Sequence, residues 1–465
     1  MAGVDLHVVE LDWMDPAVVA TAVRDLPWLC WFDSGGRADE RGRYSYVCAD
    51  PFRTLIFRPG EVEIDSVCRR ASAFATLRSL MAEYRLPPGR GPVPFSGGAA
   101  GLLGYGLRRE QERLPDRHDP IPGLPDGWIG FFDVVVGFDR RDNRCWILSS
   151  GFPETGAQGV RRARSRAAAW RARLAKQPPA ASPQPVPALA WHHETSPQSH
   201  RRKIVRARDL IAAGDIFQAN ITVRAFAPRP PGLAGLDLFL SRREGAQEPF
   251  RAFLAGPSGS SLASLSPERF LRVQADRSVE TRPIKGTRRR DPDPVADRHA
   301  ANELALSAKD CAENLMIVDL MRNDLAKVCD PGSIEVPQLC EVESFAALHH
   351  LVSAVRGRLS SGEDAVSLLA ATFPGGSVTG APKLRAMEVI DELEDGARGA
   401  YCGCILWVGF DGQMDSSIVI RTLVVTEDRV WAQAGGGIVF DSDPDEEHAE
   451  MLAKITPLVG AGAGD

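Results

Sequence analysis

Lysine is scarce in this sequence: it supplies seven of the 55 basic residues, and arginine the other 48. An excess of basic charge is also missing. The chain has 61 acids against 55 bases, a formal net charge of −6, which argues against a nucleic-acid binder. No run approaches the roughly 18 apolar residues of a membrane-spanning helix. The N-terminus, MAGVDLHVVELDWMDP, carries acids where an export signal needs a basic stretch and an apolar run. Nine cysteines are scattered at 30, 48, 68, 145, 311, 329, 340, 402 and 404, and no CxxC pair occurs. That excludes a disulfide framework and a zinc site, and points to reduced thiols in the cytoplasm. The remaining composition, 44% hydrophobic and 25% charged, excludes a coiled coil, a collagen-like chain and a wholly disordered one. No internal repeat is evident.

What is present divides at one strong break. Residues 157–176 read as an Ala/Arg-rich helix whose six arginines from Arg161 to Arg173 suit a solvated face, given the acidity of the whole. The Pro-rich connector Gln177 to Ala188 follows. This gives an N-terminal region at 1–150, a helix and linker at 151–195 and a C-terminal region at 196–465. In the first region Ala71 to Arg85 reads as a helix, WFDSGGRADERGRYSYV as strand, loop, strand, and WIGFFDVVVGFDRRDNRCWIL as two buried strands joined by a turn at Arg140 to Asn143. In the last region Ser196-Pro197 marks a helix start, with the helix running to about Ala213. FQANITVRAFA then alternates: Phe217, Ala219, Ile221, Val223 and Ala225 on one face, Gln218, Asn220, Thr222 and Arg224 on the other. A strand with a wholly polar second face is solvent-exposed or lines a wet site. Two helices are expected near 296–309 and 311–326. Tyr401 to Phe440 reads as three strands turning at Asp411-Gly412 and Glu427-Asp428, and a last helix as Pro444 to Leu458. Tight turns require antiparallel pairing, so the fold class is α+β.

Several constellations could carry chemistry. Gly375 to Lys383, GGSVTGAPK, lacks the Gly-Lys-Ser/Thr of a phosphate loop, and Ala434 to Val439, AGGGIV, lacks GxGxxG spacing. Both remain either tight turns or places where backbone approaches a ligand or another strand. Carboxylates fall in two helical i,i+3 pairs, Asp310 with Glu313 and Glu447 with Glu450. Two such faces brought together would hold Mg²⁺; apart, they are solvated helix surfaces. Lys285, in ETRPIKGTRRR, is either a surface lysine or a partly buried one. In the latter case burial, with Arg282, Arg288, Arg289 and Arg290 nearby, would lower its pKa. His349 and His350 are candidate acid–base groups or structural strand histidines.

The ordered series GDIFQANIT, SLSPERF, TRPIKGT, AENLMIVDLMRND, HHLVS, FPGGSVTGAPK, DSSIVIRT, AGGGIV and EEHAE, spanning about 200–460, resembles the chorismate-utilising enzymes. WFDSG, GRYSYV and FSGGAAGLLGY resemble the N-terminal region of anthranilate synthase and aminodeoxychorismate synthase large subunits. The resemblance implies an anthranilate synthase-like, chorismate-binding fold of two large antiparallel sheets flanked by helices. It implies Mg²⁺ held by Glu313 and Glu450, with Asp310 and Glu447 behind them, and Glu268 as the acid that protonates the departing 4-hydroxyl. Arg421 and the amides around Gly435 to Gly437 match positions that hold the enolpyruvyl carboxylate. Ser377, Thr287 and His350 match other substrate contacts. Leu406-Trp407 replaces the usual Gly-Tyr, leaving Trp407 as an expected pocket wall. Relatives hold tryptophan near a loop that is Phe32-Asp33-Ser34 here.

Two positions separate the reactions within the resemblance. Gln218 stands where water-activating members carry Lys; an amide is no comparable base, so ammonia is the expected nucleophile. Lys285 lies in PIKGT, the aminodeoxychorismate synthase form, where anthranilate synthase usually has PIAGT. The expected activity is amination of chorismate to 4-amino-4-deoxychorismate, a p-aminobenzoate and folate precursor, through a covalent adduct of Lys285 at carbon 2. The rival expectations are anthranilate synthase component I and a non-catalytic chorismate-binding protein; Lys285 opposes the first, and Glu268, Glu313, Glu450 and Lys285 together oppose the second. None of the cysteines lies in the GxCxG elbow of a glutaminase, so a separate glutamine amidotransferase subunit is expected as partner. The pure chain should therefore turn over chorismate with ammonium salts at raised pH and leave glutamine untouched until an amidotransferase is added. Release of glutamate by the chain alone would defeat this expectation.

Overall fold

The computed structural model describes residues 6–35, 40–176, 184–344 and 348–460; part of the Pro-rich connector, 177–183, lies outside them. Helix starts follow local capping chemistry. Ser196 accepts from the Ser199 amide and Pro197 opens the helix Pro197–Ala212. Asp443 accepts from the Asp445 and Glu446 amides ahead of the helix Pro444–Val459, and Ser307 caps Ala308–Ala326. The other expected helices run Ala73–Glu83, Gly156–Leu174 and Pro294–Leu306.

Two 12-stranded antiparallel sheets form the body. The first carries Gln218–Pro228 paired with Arg429–Ile438, and the second carries Ile284–Arg289 paired with Leu348–Arg358. Sequence before and after the connector shares both sheets: Cys30–Asp33 pairs with Phe250–Ala255, and Gly98–Leu103 with Cys404–Gly409. A core containing Cys30, Trp128, Leu254, Ile405 and Trp407 fills the space between the sheets. Phe74, Ile317, Met321 and Leu369 lie in the core that packs helices on the second sheet; Ala167, Trp170, Phe239 and Met451 do the same for the first. The order is helix, sheet, sheet, helix, with aromatic and aliphatic residues filling each gap.

The chain repeatedly switches sheets at corners, and the sequence periodicity misses this. The run expected as two strands at 128–148 is three: Gly127–Phe132 belongs to the second sheet, Val134–Asp139 and Arg144–Ser149 to the first. Asp133 makes the corner, fully enclosed, accepting from Arg166 Nε at 3.1 Å and Nη2 at 3.0 Å, with Arg162 at 3.3 Å. Two of the arginines expected on a solvated face therefore anchor the chain reversal. Likewise the middle strand expected within Tyr401 to Phe440 is two, Met414–Ile418 and Thr422–Val425, in different sheets. Arg421 turns that corner with φ +49°, a left-handed conformation. A third switch, between Ser261–Ser266 and Arg269–Val273, falls at Pro267-Glu268. Strands that cross between packed sheets require such bends, and two of them place Glu268 and Arg421 where the sheets meet.

Candidate active site

Gln218, Asn220 and Thr222 settle the choice left open for the alternating strand: its polar face is buried, Gln218 to 2% exposure. Buried polar groups need partners. Asn220 Nδ2 donates to Val378 O at 3.2 Å, Thr222 Oγ1 to Glu394 Oε1 at 2.7 Å, and Gln218 Nε2 reaches Glu313 Oε2 at 3.5 Å. Asn220 pairs with Gly437 and Thr222 with Gly435 on the neighbouring strand. A Cβ on Gly437 would stand 2.1 Å from Gln218 Nε2 and 3.4 Å from Lys285 Nζ; one on Gly436 would stand 3.0 Å from Glu447 Oε2. The glycines of AGGGIV thus serve close approach by functional side chains, not a turn.

Lys285 arrives from the second sheet on Ile284–Arg289. Its register with Leu348–Arg358 shifts between Lys285 and Thr287, leaving Gly286 as a bulge at φ +73°. The bulge redirects the strand, and a Cβ at Gly286 would stand 2.8 Å from Asp310 Cγ. Half-buried Lys285 donates from Nζ to Ser377 O at 3.4 Å. Ser377 belongs to a single 3₁₀ turn, Gly376–Val378, and its hydroxyl also hydrogen-bonds Glu268. Burial pushes the Glu268 carboxyl up to about 7, against the opposing pull of the Ser377 hydroxyl and the Lys285 ammonium. A carboxyl half-protonated near neutrality, 6% exposed and next to an amine, is equipped for proton transfer. Three of the four arginines expected to repel Lys285 are engaged with acceptors of their own. Arg282 donates to Gln338 and Glu343, Arg288 to Glu303 and Asp310, and Arg290 to Asp297. The Lys285 ammonium in turn pulls down the carboxyls of Glu268, Glu313 and Glu450.

The helices Ala308–Ala326 and Pro444–Val459 bring both carboxylate pairs to this place. Burial raises the Glu313 carboxyl, opposed by Lys285 and Lys309 and reinforced by Glu447 and Asp310. Burial likewise raises Glu447, opposed by a 2.7 Å hydrogen bond from Ser442 Oγ and reinforced by Glu450. For Glu450 burial is outweighed by Lys454, 2.7 Å from its Oε1, and the carboxyl falls below its ordinary value. Lys454 also donates to Gly435 O at 3.0 Å, and Lys309 lies 3.6 Å from Glu447 Oε1. Lys309 and Lys454 are thus part of the site, and the sequence reading missed both; the rarity of lysine and the 450/454 spacing are the signals that could have found them. Among the described residues no group of three or more Asp, Glu, His or Cys side chains converges as a metal cage. Mg²⁺ uses one or two carboxylates and completes its shell with water and ligand oxygens. Glu313, whose buried charge lies among other acids, and Glu450, whose carboxyl Lys454 holds low, are a pair of carboxylate donors that such a cation fits.

Other expected residues sort unevenly. Thr287 Oγ1 and His350 Nδ1 lie 2.8 Å apart beside Lys285, whereas His349 bonds Ser344 and Asp297 and is structural. Along Arg429–Ile438 the strand Thr422–Val425 reaches only Val430 to Ala432, so Gly435 to Gly437 have a strand neighbour on one edge alone, and Arg421 stands just past the end of the shorter strand. Trp407 is not brought to this group. Its ring stacks on Phe95 at 5.0 Å and lines a separate cavity with Phe32, Asp33, Ser34, Tyr46 and Asp415. It stands opposite Ala100 and Asp415 between the sheets, so the expected pocket-wall role is withdrawn. Glu394 and Arg398, an i,i+4 pair behind the polar strand, went unread in the sequence.

The sequence model of the family described as chorismate binding enzyme matches residues 30–460. Aminodeoxychorismate synthase component 1 of Salmonella typhimurium is 38% identical over 462 residues, covering 97% of both chains. Anthranilate synthase component 1 of Streptomyces coelicolor is 39% identical, covering 92% of this chain and 81% of that one. Anthranilate synthase component I from Streptococcus pneumoniae has the same fold in its crystal structure, with a TM-score of 0.80 at 27% identity over 91% of this chain and 94% of that one. Among the described residues no helix is long and apolar enough to cross a membrane.

The Glu268 environment gives a stability test. A carboxyl raised from 4.5 to about 7 binds its proton more tightly folded than unfolded. Its contribution is complete below about pH 4.5 and disappears as pH rises through about 7. Urea unfolding should therefore show the wild type losing on the order of 3 kcal/mol relative to Glu268→Gln between about pH 5 and 8. Parallel pH profiles for the two proteins would contradict the buried acid.

Proposed function

The chain belongs to the chorismate binding enzymes, and from that membership we propose that it aminates chorismate with ammonia at carbon 4, giving 4-amino-4-deoxychorismate, a p-aminobenzoate precursor. The observation that carries this reading is Lys285 and Glu268 joined through Ser377. Glu268 protonates the 4-hydroxyl, which leaves as water. The Lys285 amine bonds to carbon 2 and gives up a proton as both ring double bonds shift and the bond from carbon 4 to oxygen breaks. Ammonia then adds at carbon 4 and gives up a proton, both double bonds shift back, and the carbon–nitrogen bond to Lys285 breaks. The sum is chorismate plus ammonia to aminodeoxychorismate plus water, one difficult displacement divided into two easier ones. The Gln218 amide is no base for water, and the open edge at Gly435 to Gly437 with Arg421 suits the enolpyruvyl carboxylate. Thr287 and His350 orient the ring. Glu313 and Glu450 would hold Mg²⁺, with Asp310 and Glu447 beside them, and the cation would neutralise the ring carboxylate. Ammonia would come from a separate glutamine amidotransferase subunit, and the setting is cytoplasmic.

Anthranilate synthase is the competing reading, since overall identity, 38% against 39%, does not separate the two. Position 285 does. A lysine bonded to carbon 2 excludes ammonia from that carbon; with alanine the carbon is open. Lys285→Ala should lose 4-amino product by several orders of magnitude, each tenfold being roughly 1.4 kcal/mol of barrier. Chromatography of products from chorismate, Mg²⁺ and ammonium salt decides it. Anthranilate from the wild type, or undiminished 4-amino product from the variant, returns the competing reading.

The metal assignment has its own check. Glu313→Ala should keep its melting temperature within a few degrees, lose turnover and lose heat of Mg²⁺ binding in calorimetry with chorismate present. A variant with normal Mg²⁺ titration and normal rate would refute it.

A further inference from the structure

Both reacting side chains of the proposed mechanism meet one short turn, and that turn has an anchor which touches neither of them. Val378, next to Ser377, offers its carbonyl to Asn220 Nδ2 at 3.2 Å and to Arg398 Nη1 at 2.9 Å. Arg398 is buried, 3% exposed. Its Nη2 donates to Asn220 O at 2.6 Å and to Glu394 Oε1 at 2.7 Å, and its Nε to Glu394 Oε2 at 3.0 Å. Glu394 Oε1 in turn accepts from Thr222 N at 3.0 Å and Thr222 Oγ1 at 2.7 Å. The guanidinium lies over the Tyr105 ring, 4.8 Å from its centre. One planar fork thus ties the Gly376–Val378 turn to the polar strand through four acceptor oxygens on three residues, in fixed directions.

Stability does not explain this device. A buried ion pair is often replaced by packed apolar residues at no loss, and a strand could be held to a turn more simply. What the fork provides is direction: a guanidinium meets several acceptors in one plane, and an ammonium cannot. We propose that Arg398 is a positioning residue, fixing the Val378 carbonyl against the strand and so setting where Ser377 meets Glu268 and Lys285. The inference rests on the proposed amination.

The test compares kcat, KM for chorismate and the pH profile of the full chain at constant free ammonia, for wild type, Arg398→Lys and Thr222→Val, with melting curves to confirm folding. Arg398→Lys keeps the charge and loses the fork; Thr222→Val keeps every charge and nearly every atom of volume and removes the hydroxyl that bonds Glu394 and Gln433. Arg398→Lys should lose about 10- to 100-fold in kcat, with KM changed by less than about threefold. Its alkaline limb should move upward by about one pH unit, because the Ser377 hydrogen bond that holds the Glu268 carboxyl down is weakened. Thr222→Val should move both readouts the same way, by about three- to tenfold in kcat. A folded Arg398→Lys with wild-type kcat and an unmoved limb overturns the positioning role; if that variant does not fold, an unchanged Thr222→Val overturns it. A wild type that makes no 4-amino product overturns the amination and this inference together, a result distinct from variants that match an active wild type.

Discussion

A polar strand face has to be buried where two apolar sheets meet, and most of the molecule's unusual features follow from that demand. Gln218, Asn220 and Thr222 lie in an environment where an unpaired amide or hydroxyl costs about 1–3 kcal/mol. Each finds its partner in another segment: a helix carboxylate, a turn carbonyl, the Glu394 carboxylate. Those partners are brought in from positions 313, 378 and 394, so the polar face specifies tertiary structure as strongly as the apolar face does. The same demand admits a buried arginine at 398, because its five donors can serve several acceptors at once.

Sheet switching solves the complementary problem of getting functional groups into the seam. A strand that stays in one sheet presents side chains to its two faces only. Bending at Pro267-Glu268 delivers a carboxyl to the junction, and bending at Arg421 delivers a guanidinium. Asp133 shows what such a corner requires when it has no chemistry to perform: two arginines from one helix, Arg162 and Arg166, neutralise the acid that the bend encloses. Glycine completes the arrangement, since Gly436 and Gly437 leave the space that Glu447, Gln218 and Lys285 occupy.

The parts of this that the sequence displays are those governed by neighbours in the chain. Asp443 and Pro444 announce the last helix to within one residue, and Ser196-Pro197 do so for the helix before the polar strand. Alternation separated the faces of Gln218–Pro228 correctly but left solvent and site equally open, because burial depends on elements far along the chain. The run Ile418 to Thr422 stays rich in β-branched residues through a sheet switch, so nothing in its pattern marks the break; only the left-handed backbone of Arg421 does. Trp407 failed for a related reason. A motif position fixes which strand a side chain is on, while the cavity it faces depends on the strand end Phe32–Ser34, almost four hundred residues away. The arginines around Lys285 looked like a repulsive cluster because Glu343, Glu303 and Asp297, which pair with them, come from other elements.

Charge balance at the site adds a constraint that no single residue reveals. Glu268, Glu313, Glu447 and Glu450 face Lys285, Lys309 and Lys454, and Glu268 is half-protonated near neutrality. The group is therefore close to neutral as it stands. A dicarboxylate substrate alone would add two negative charges to a partly buried volume, and a divalent cation alone two positive ones; either change is unfavourable where solvent screens poorly. Together they cancel. On the proposed reading, Mg²⁺ and chorismate would therefore enter with mutual reinforcement, the three lysines keeping the carboxylates compensated in the free enzyme. That explains why a protein so poor in lysine keeps three of its seven at one place, where a guanidinium, always charged, could neither yield its position easily nor act as the nucleophile.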